Sequence, residues 1–201
     1  MLDRFATALI RPPMTTLARG LVRARVGANS ITVTGFIIGV VAAILIASHA
    51  YMAGAVAILA SRLCDGLDGL VARQTHATDA GGFLDITLDF LFYASIPLAF
   101  AVANPAANAL AAAVLLAAFI GTSTSFLAFA VLAAKRKLTS TDFPDKSFYF
   151  LGGLTEATET LMFFTAMCIW PQHFAVLAST FAALCAITIA TRIWWGWRAF
   201  S

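Results

Sequence analysis

Six predominantly apolar stretches, near 31–50, 51–72, 83–103, 107–134, 149–170 and 174–195, account for most of the chain. Each has about the 20 residues that a helix needs to cross the hydrocarbon of a bilayer. In lipid every backbone N–H and C=O must find its partner inside the protein, so such stretches fold as helices packed on one another. The expected fold is therefore all-α: a polytopic membrane protein with six transmembrane helices. The composition agrees, since 61% of the 201 residues are hydrophobic, 11% are charged and the mean hydropathy is +0.88, far from a soluble domain of this length.

The joints set the orientation. SHAY, NPAAN and PQH, between the first and second, third and fourth, and fifth and sixth stretches, hold no Lys, Arg, Asp or Glu. The opposite ends carry Arg4, Arg11, Arg19, Arg23 and Arg25, then Arg73, then Lys135, Arg136, Lys137 and Lys146, and finally Arg198. By the positive-inside rule these ends, and both termini, face the cytoplasm. The first thirty residues lack the apolar run and cleavage site of a secretory signal. Within residues 1–30, Leu2, Phe5 and Leu9 recur near helical spacing, Pro12 and Pro13 break the pattern, and Leu17 and Leu21 resume it. This region is either an interfacial amphipathic helix with arginines toward lipid headgroups or a disordered basic tail. Residues 31–201 form the transmembrane domain, with 135–148 its long polar loop. Cys64, Cys168 and Cys185 are odd in number and too widely spaced for a zinc motif, so they read as free thiols. Basic residues placed by topology give no reason to expect a nucleic-acid partner. Tryptophans 170, 194, 195 and 197 at stretch ends suit an aromatic belt, and His49, His76 and His173 lie at joints without ligand spacing.

Residues 62–90, RLCDGLDGLVARQTHATDAGGFLDITLDF, break the apolar rule. Ionisable groups at membrane depth are costly unless paired, hydrated or metal-bound, so they point to function. Asp65 and Asp68 are three residues apart and Asp85 and Asp89 four apart, which puts each pair on one face of its helix. Antiparallel neighbours joined by a short loop then bring the two faces together. Carboxylates converging this way repel without a cation, and hard oxygen ligands suit Mg²⁺, Mn²⁺ or Ca²⁺. Gly69, beside Asp68 and one turn from Asp65 and Arg73, leaves room for a ligand to approach. Arg73 offers a cationic fork suited to a diphosphate, or sets topology as a snorkelling arginine. Gly66 and Gly82 either accompany the site or allow close helix approach.

The run Asp65, xx, Asp68-Gly69, xx, Ala72-Arg73, then Gly81, xxx, Asp85, xxx, Asp89 resembles the signature of the CDP-alcohol phosphatidyltransferases, with eight specified positions over residues 65–89. Seven residues separate Arg73 from Gly81, where the family pattern has eight. Taking Gly82 instead would put Ile86 and Phe90 at acid positions, so Gly81 is the better match. GANSIT, residues 27–32, is similar to the Asn-containing start of the first span in that family. Asn29 there either approaches the nucleotide or, as slightly preferred, caps the helix with Ser30.

The resemblance implies a phosphatidyl transfer from a CDP-linked lipid, CDP-diacylglycerol, to an alcohol acceptor with release of CMP. It implies two Mg²⁺ or Mn²⁺ ions on Asp65, Asp68, Asp85 and Asp89, with Asp89 also the general base, and Gly69, Arg73, Asn29 and Gly81 toward the nucleotide. It further implies a homodimer in a bacterial inner (plasma) membrane, with the active site cytoplasmic. Acceptor candidates come from the residues themselves. Arg62 pairs with Asp65 across one turn or binds acceptor phosphate. Lys135 with its basic neighbours reads a phosphorylated alcohol or serves topology alone. Glu156 and Glu159 line a polar cavity, or else pair with the GTSTS hydroxyls at 121–125 or with Arg192 between helices. Glycerol 3-phosphate is the favoured acceptor because basic residues border the cytoplasmic mouth. The competing classes are an intramembrane prenyltransferase, against which DGxxAR argues, and a non-enzymatic divalent-cation transporter, against which the position of the acids argues.

Overall fold

The computed structural model describes residues 3–136 and 155–201, and over these it is helical with no strand. The helices are α1 (Asp3–Arg23), α2 (Ala28–Ala47), α3 (Tyr51–Gln74), α4 (Asp79–Ala103), α5 (Pro105–Lys135), α6 (Ala157–Ile169) and α7 (Phe174–Phe200), with a 3-10 turn at Pro171–His173. The protein is an all-α polytopic membrane protein: α2, α4, α5 and the unit of the 3-10 turn with α7 are each long and apolar enough to cross a bilayer. α3 has the length, 24 residues, but Arg62, Asp65, Asp68 and Arg73 interrupt it. The fifth stretch is helical only from Ala157 to Ile169 among the described residues, a rise of about 20 Å. Leu2, the polar loop from Lys137 with Lys146, and the start of that stretch lie outside the described residues.

α1 runs unbroken through Pro12 and Pro13, where the sequence pattern suggests a break. Each proline forfeits an N–H bond but holds φ near a helical value. Packing supports the turns beyond them: Met14 and Ala18 are buried with Ile31, Leu67 and Val71 in a small cluster that ties α1 to α2 and α3.

α3 and α4 each pack extensively on α2 rather than on one another, which corrects the expectation that these two neighbours face each other directly. Two glycines make α2 a groove. A Cβ at Gly35 would come 2.8 Å from Cys64 Cβ, and one at Gly39 2.5 Å from Phe92 Cδ2. The Ser61 hydroxyl donates to the Gly35 carbonyl at 2.7 Å across the same contact, so α3 is locked to α2 beside the acidic turn. The main core lies toward the other end, where Phe100 stacks on Phe174 with ring centroids 4.5 Å apart and Phe164, Phe181, Ile46 and Leu115 fill the centre. Outward, Val33, Ile37, Val41 and Ile44 of α2 and Leu110 and Val114 of α5 are exposed. With lipid as solvent, such a face carries no penalty.

Candidate metal and substrate site

Asp68 is the most enclosed of the acids, 4% exposed. Its Oδ2 accepts a 2.6 Å hydrogen bond from the Thr32 hydroxyl of α2, which joins the first membrane helix to the site. One carboxylate oxygen each from Asp65, Asp68 and Asp85 lie within 4.8 Å of one another. The helical spacing brings the pairs to one place as expected, with α2 as the floor on which they meet. Three carboxylates at this separation form a donor set that fits a hard divalent cation.

Asp89 stands apart from that group. Its Oδ1 accepts a hydrogen bond from Arg62 Nη1, while the same nitrogen is 3.5 Å from Asp65 Oδ1. The i, i+3 pairing of Arg62 with Asp65 is therefore present but secondary to a contact across helices. Arg62 lies with Cζ 3.8 Å from the centroid of the Phe92 ring and 5.4 Å from that of Tyr93, a cation held over aromatic rings.

The signature glycines have different surroundings. A Cβ at Gly69 would meet the Arg73 guanidinium at 3.4 Å, so Arg73 folds back over the bare backbone beside Asp68, while its side chain remains exposed. A Cβ at Gly81 would lie 2.9 Å from Asn29 Oδ1 and 3.1 Å from Thr78 Oγ1. Thr78 caps α4 by accepting from the Gly81 N–H at 3.1 Å. Asn29 does not cap α2: the N-cap is Gly27, in extended conformation without a side-chain cap bond, which puts Asn29 inside the first turn and against Gly81. A Cβ at Gly66 would come 3.0 Å from Met14 Cε, whereas among the described residues nothing lies within 4 Å of a Cβ at Gly82. Close helix approach thus does not explain Gly82.

A cavity of about 220 Å³ opens beside this cluster among α4, α5, α6 and α7, with Tyr93, Thr122, Ser123, Glu156, Thr160 and Arg192 in its wall. Tyr93 links this wall to the acidic cluster through Arg62, whose Cζ is 5.4 Å from its ring centroid. Arg192 is 9% exposed; its Nη1 donates to the Thr122 carbonyl at 3.0 Å and its Nε has no hydrogen-bond partner among the described residues. Glu156 and Glu159 lie at the N-terminal end of α6, both half-buried. Glu156 is the N-cap of α6 and Glu159 its third residue, joined in a capping box in which the Glu156 N–H donates to Glu159 Oε2 at 3.1 Å. Glu156 still lines the cavity; Lys135 is exposed at the end of α5 and does not. Its neighbour Arg136 donates to the Ala199 and Phe200 carbonyls, at 3.3 and 2.6 Å, closing the C-terminus of α7.

The model of the CDP-alcohol phosphatidyltransferases matches residues 25–194, a range that contains the whole acidic turn. The chain belongs to the CDP-alcohol phosphatidyltransferase family. It is 50% identical over 197 residues to the inner membrane protein YnjF of Escherichia coli, covering 98% of this chain and 96% of that one. It is 46% identical over 65 residues to the archaetidylinositol phosphate synthase of Methanothermobacter thermautotrophicus, 32% of this chain and 33% of that one. In fold it is similar to Mycobacterium tuberculosis phosphatidylinositol phosphate synthase (PgsA1) with CDP-DAG bound, with TM-score 0.73, 22% identity, and coverage of 92% of this chain and 93% of that chain. The same enzyme in complex with manganese and citrate gives TM-score 0.72 and 24% identity, covering 92% and 88%.

As a CDP-alcohol phosphatidyltransferase the chain is an enzyme of phospholipid synthesis, transferring a substituted phosphate group. This membership, rather than prenyl transfer or cation transport, accounts for the acidic turn. The sequence pattern identifies the aspartates of this phosphatidyltransferase but passes over Thr32, Ser61 and the Phe92 and Tyr93 rings. Phe92 carries a usable signal, since it follows Asp89 by three residues and so shares its helix face.

Proposed function

We propose that the chain transfers the phosphatidyl group of CDP-diacylglycerol to a phosphorylated alcohol, glycerol 3-phosphate, releasing CMP. The observation that carries the reading is the convergence of Asp65, Asp68 and Asp85 beside both the Arg73 fork and the cavity that contains Arg192. Arg73 over Gly69 takes the diphosphate, with Asn29 and Gly81 toward the nucleotide, and Arg192 supplies the countercharge for a phosphate on the acceptor. Arg62 serves the acids, and Lys135 serves topology. Glu156 bounds the acceptor cavity, whereas Glu159 acts through the α6 cap.

Asp65, Asp68 and Asp85, with Asp89 completing a second site, would hold Mg²⁺ or Mn²⁺. The fold relative crystallised with manganese supports this choice. Ions held by these carboxylates would supply charge neutralisation to the diphosphate and to the departing phosphate. Asp89 takes the proton of the acceptor hydroxyl. The new O–P bond forms at the lipid-side phosphorus, the bond from that phosphorus to the bridging oxygen breaks, and CMP carries the bridging oxygen away. Six spans with cytoplasmic termini and a cytoplasmic site follow from the basic residues at one set of helix ends. In this scheme residues 1–30 form the interfacial region and 31–201 the catalytic domain. An inner-membrane location follows the Escherichia coli relative, and a homodimer follows the family resemblance.

The test is CMP release by the purified protein from CDP-diacylglycerol with Mg²⁺ or Mn²⁺, using glycerol 3-phosphate, inositol phosphate, inositol, serine and choline in turn. Release is expected with the phosphorylated alcohol and is abolished by Asp68→Asn. Release only with unphosphorylated acceptors refutes the acceptor class, and none with any acceptor refutes the phosphatidyl-transfer reading.

A further inference from the structure

We infer that Arg62 is a positioning residue that reserves Asp89, so that the acidic site takes up two divalent cations in unequal, ordered steps. The inference rests on the metal-site reading above and concerns a residue outside the family signature.

Arg62 is built in place. Its side chain is 13% exposed, its Nη1 is on Asp89 Oδ1, and its Nη2 donates to Ser61 Oγ at 3.3 Å. The guanidinium sits over the ring of Phe92, which is 1% exposed and is itself backed by Gly39, where a Cβ would strike the ring at 2.5 Å. Ser61 is tied in turn to the α2 backbone. Ring, groove and serine together hold the fork where it meets Asp89.

The placement divides the carboxylates. Asp65, Asp68 and Asp85 offer oxygens within 4.8 Å of one another, whereas Asp89 Oδ1 is hydrogen-bonded to Arg62 Nη1, whose contact with Asp65 Oδ1 is longer, 3.5 Å. With Arg62 present, a single divalent ion leaves these four carboxylates with one net negative charge. Arg62 thus does the work of part of a second cation before one arrives. Asp89 Oδ1 becomes a ligand only when Arg62 releases it, and the released guanidinium, whose buried Nε already lacks a partner among the described residues, loses its charge-assisted bond. That loss weakens the second binding step against the first by a factor on the order of 10 to 100.

The experiment is a Mn²⁺ titration of the full chain in detergent without substrate, free ion being followed by electron paramagnetic resonance. The wild type is expected to bind in two separated steps. Arg62→Gln should tighten the second step about tenfold or more while moving the first much less. Arg62→Lys, which keeps the charge without the flat fork, should fall between them, and Asp89→Asn should remove the second step and keep the first. An intact first step also reports that each variant is folded. Equal tightening of both steps in Arg62→Gln would mark a diffuse charge effect and overturn the proposal, as would an unchanged gap or two surviving steps in Asp89→Asn. A wild type that binds no Mn²⁺ overturns the metal-site reading itself.

Discussion

Replacing Thr32 with valine preserves the β-branched outline of the side chain and removes one hydroxyl. That hydroxyl has a single proton and two acceptors within reach, Asp68 Oδ2 at 2.6 Å and the Ala28 carbonyl at 3.1 Å. The shorter contact goes to the charged oxygen. Asp68 is the most buried acid of the cluster, so the abandoned lone pair has little water to turn to. A hydrogen bond to a charged group contributes about 1.5–3 kcal/mol, and groups that orient metal ligands are worth about 10- to 100-fold in metal affinity or activity. Thr32→Val should therefore raise the Mn²⁺ concentration for half-maximal CMP release by roughly tenfold or more, with Mn²⁺ binding weakened in parallel in a calorimetric titration. Thr32→Ser, which retains the donor, should stay near wild type. If Thr32→Val remains within about twofold of wild type in both measurements, the hydroxyl does not position Asp68 and its bond is incidental to the metal site.

Gly39→Ala forces a methyl group against the Phe92 ring, an overpacking that should cost about 1–3 kcal/mol and appear as a lower melting temperature in detergent. Gly81→Ala brings a Cβ onto Asn29 Oδ1 and Thr78 Oγ1. It should destabilise the protein in the same assay, with part of the loss returned when Asn29→Ala is added. Arg192→Gln should raise KM for the phosphorylated acceptor while kcat and KM for CDP-diacylglycerol move much less; a pure loss of kcat would argue against its place in the acceptor cavity.

The carboxylates were legible because their i, i+3 and i, i+4 intervals fix a helix face whatever the packing. Their partners were not. Thr34 and Thr87 spend their hydroxyls on the Ser30 and Phe83 carbonyls one turn back, the ordinary use of a threonine in a helix. Nothing in the sequence distinguishes Thr32 from them. Arg62 had Asp65 at helical spacing, whereas Asp89, 27 positions away, became its main partner through packing. Helix existence could be read from length and polarity, yet which helix lay between which could not, because lipid and core are equally apolar. The seating of α3 and α4 on α2 depends on two bare glycines, Gly35 and Gly39, whose neighbours become visible only in three dimensions. Glu156 looked like a polar residue within a span because the apolar pattern extends past it; the helix that it caps begins one residue later.

The charged stripe of α3 also bears on how the protein is made. A segment leaving the insertion machinery is tested against lipid as it emerges, and an Arg or Asp costs up to about 3 kcal/mol at mid-span and less toward the ends. Arg62, Asp65, Asp68 and Arg73 make α3 a weak candidate for independent insertion. α2 precedes it and is strongly apolar, and it carries the groove and the Thr32 hydroxyl that receive part of that stripe. α4 then brings Phe92 beneath Arg62. In chain order the charged helix of these three is thus preceded and followed by helices that are apolar enough to cross a bilayer alone and that carry partners for its charges.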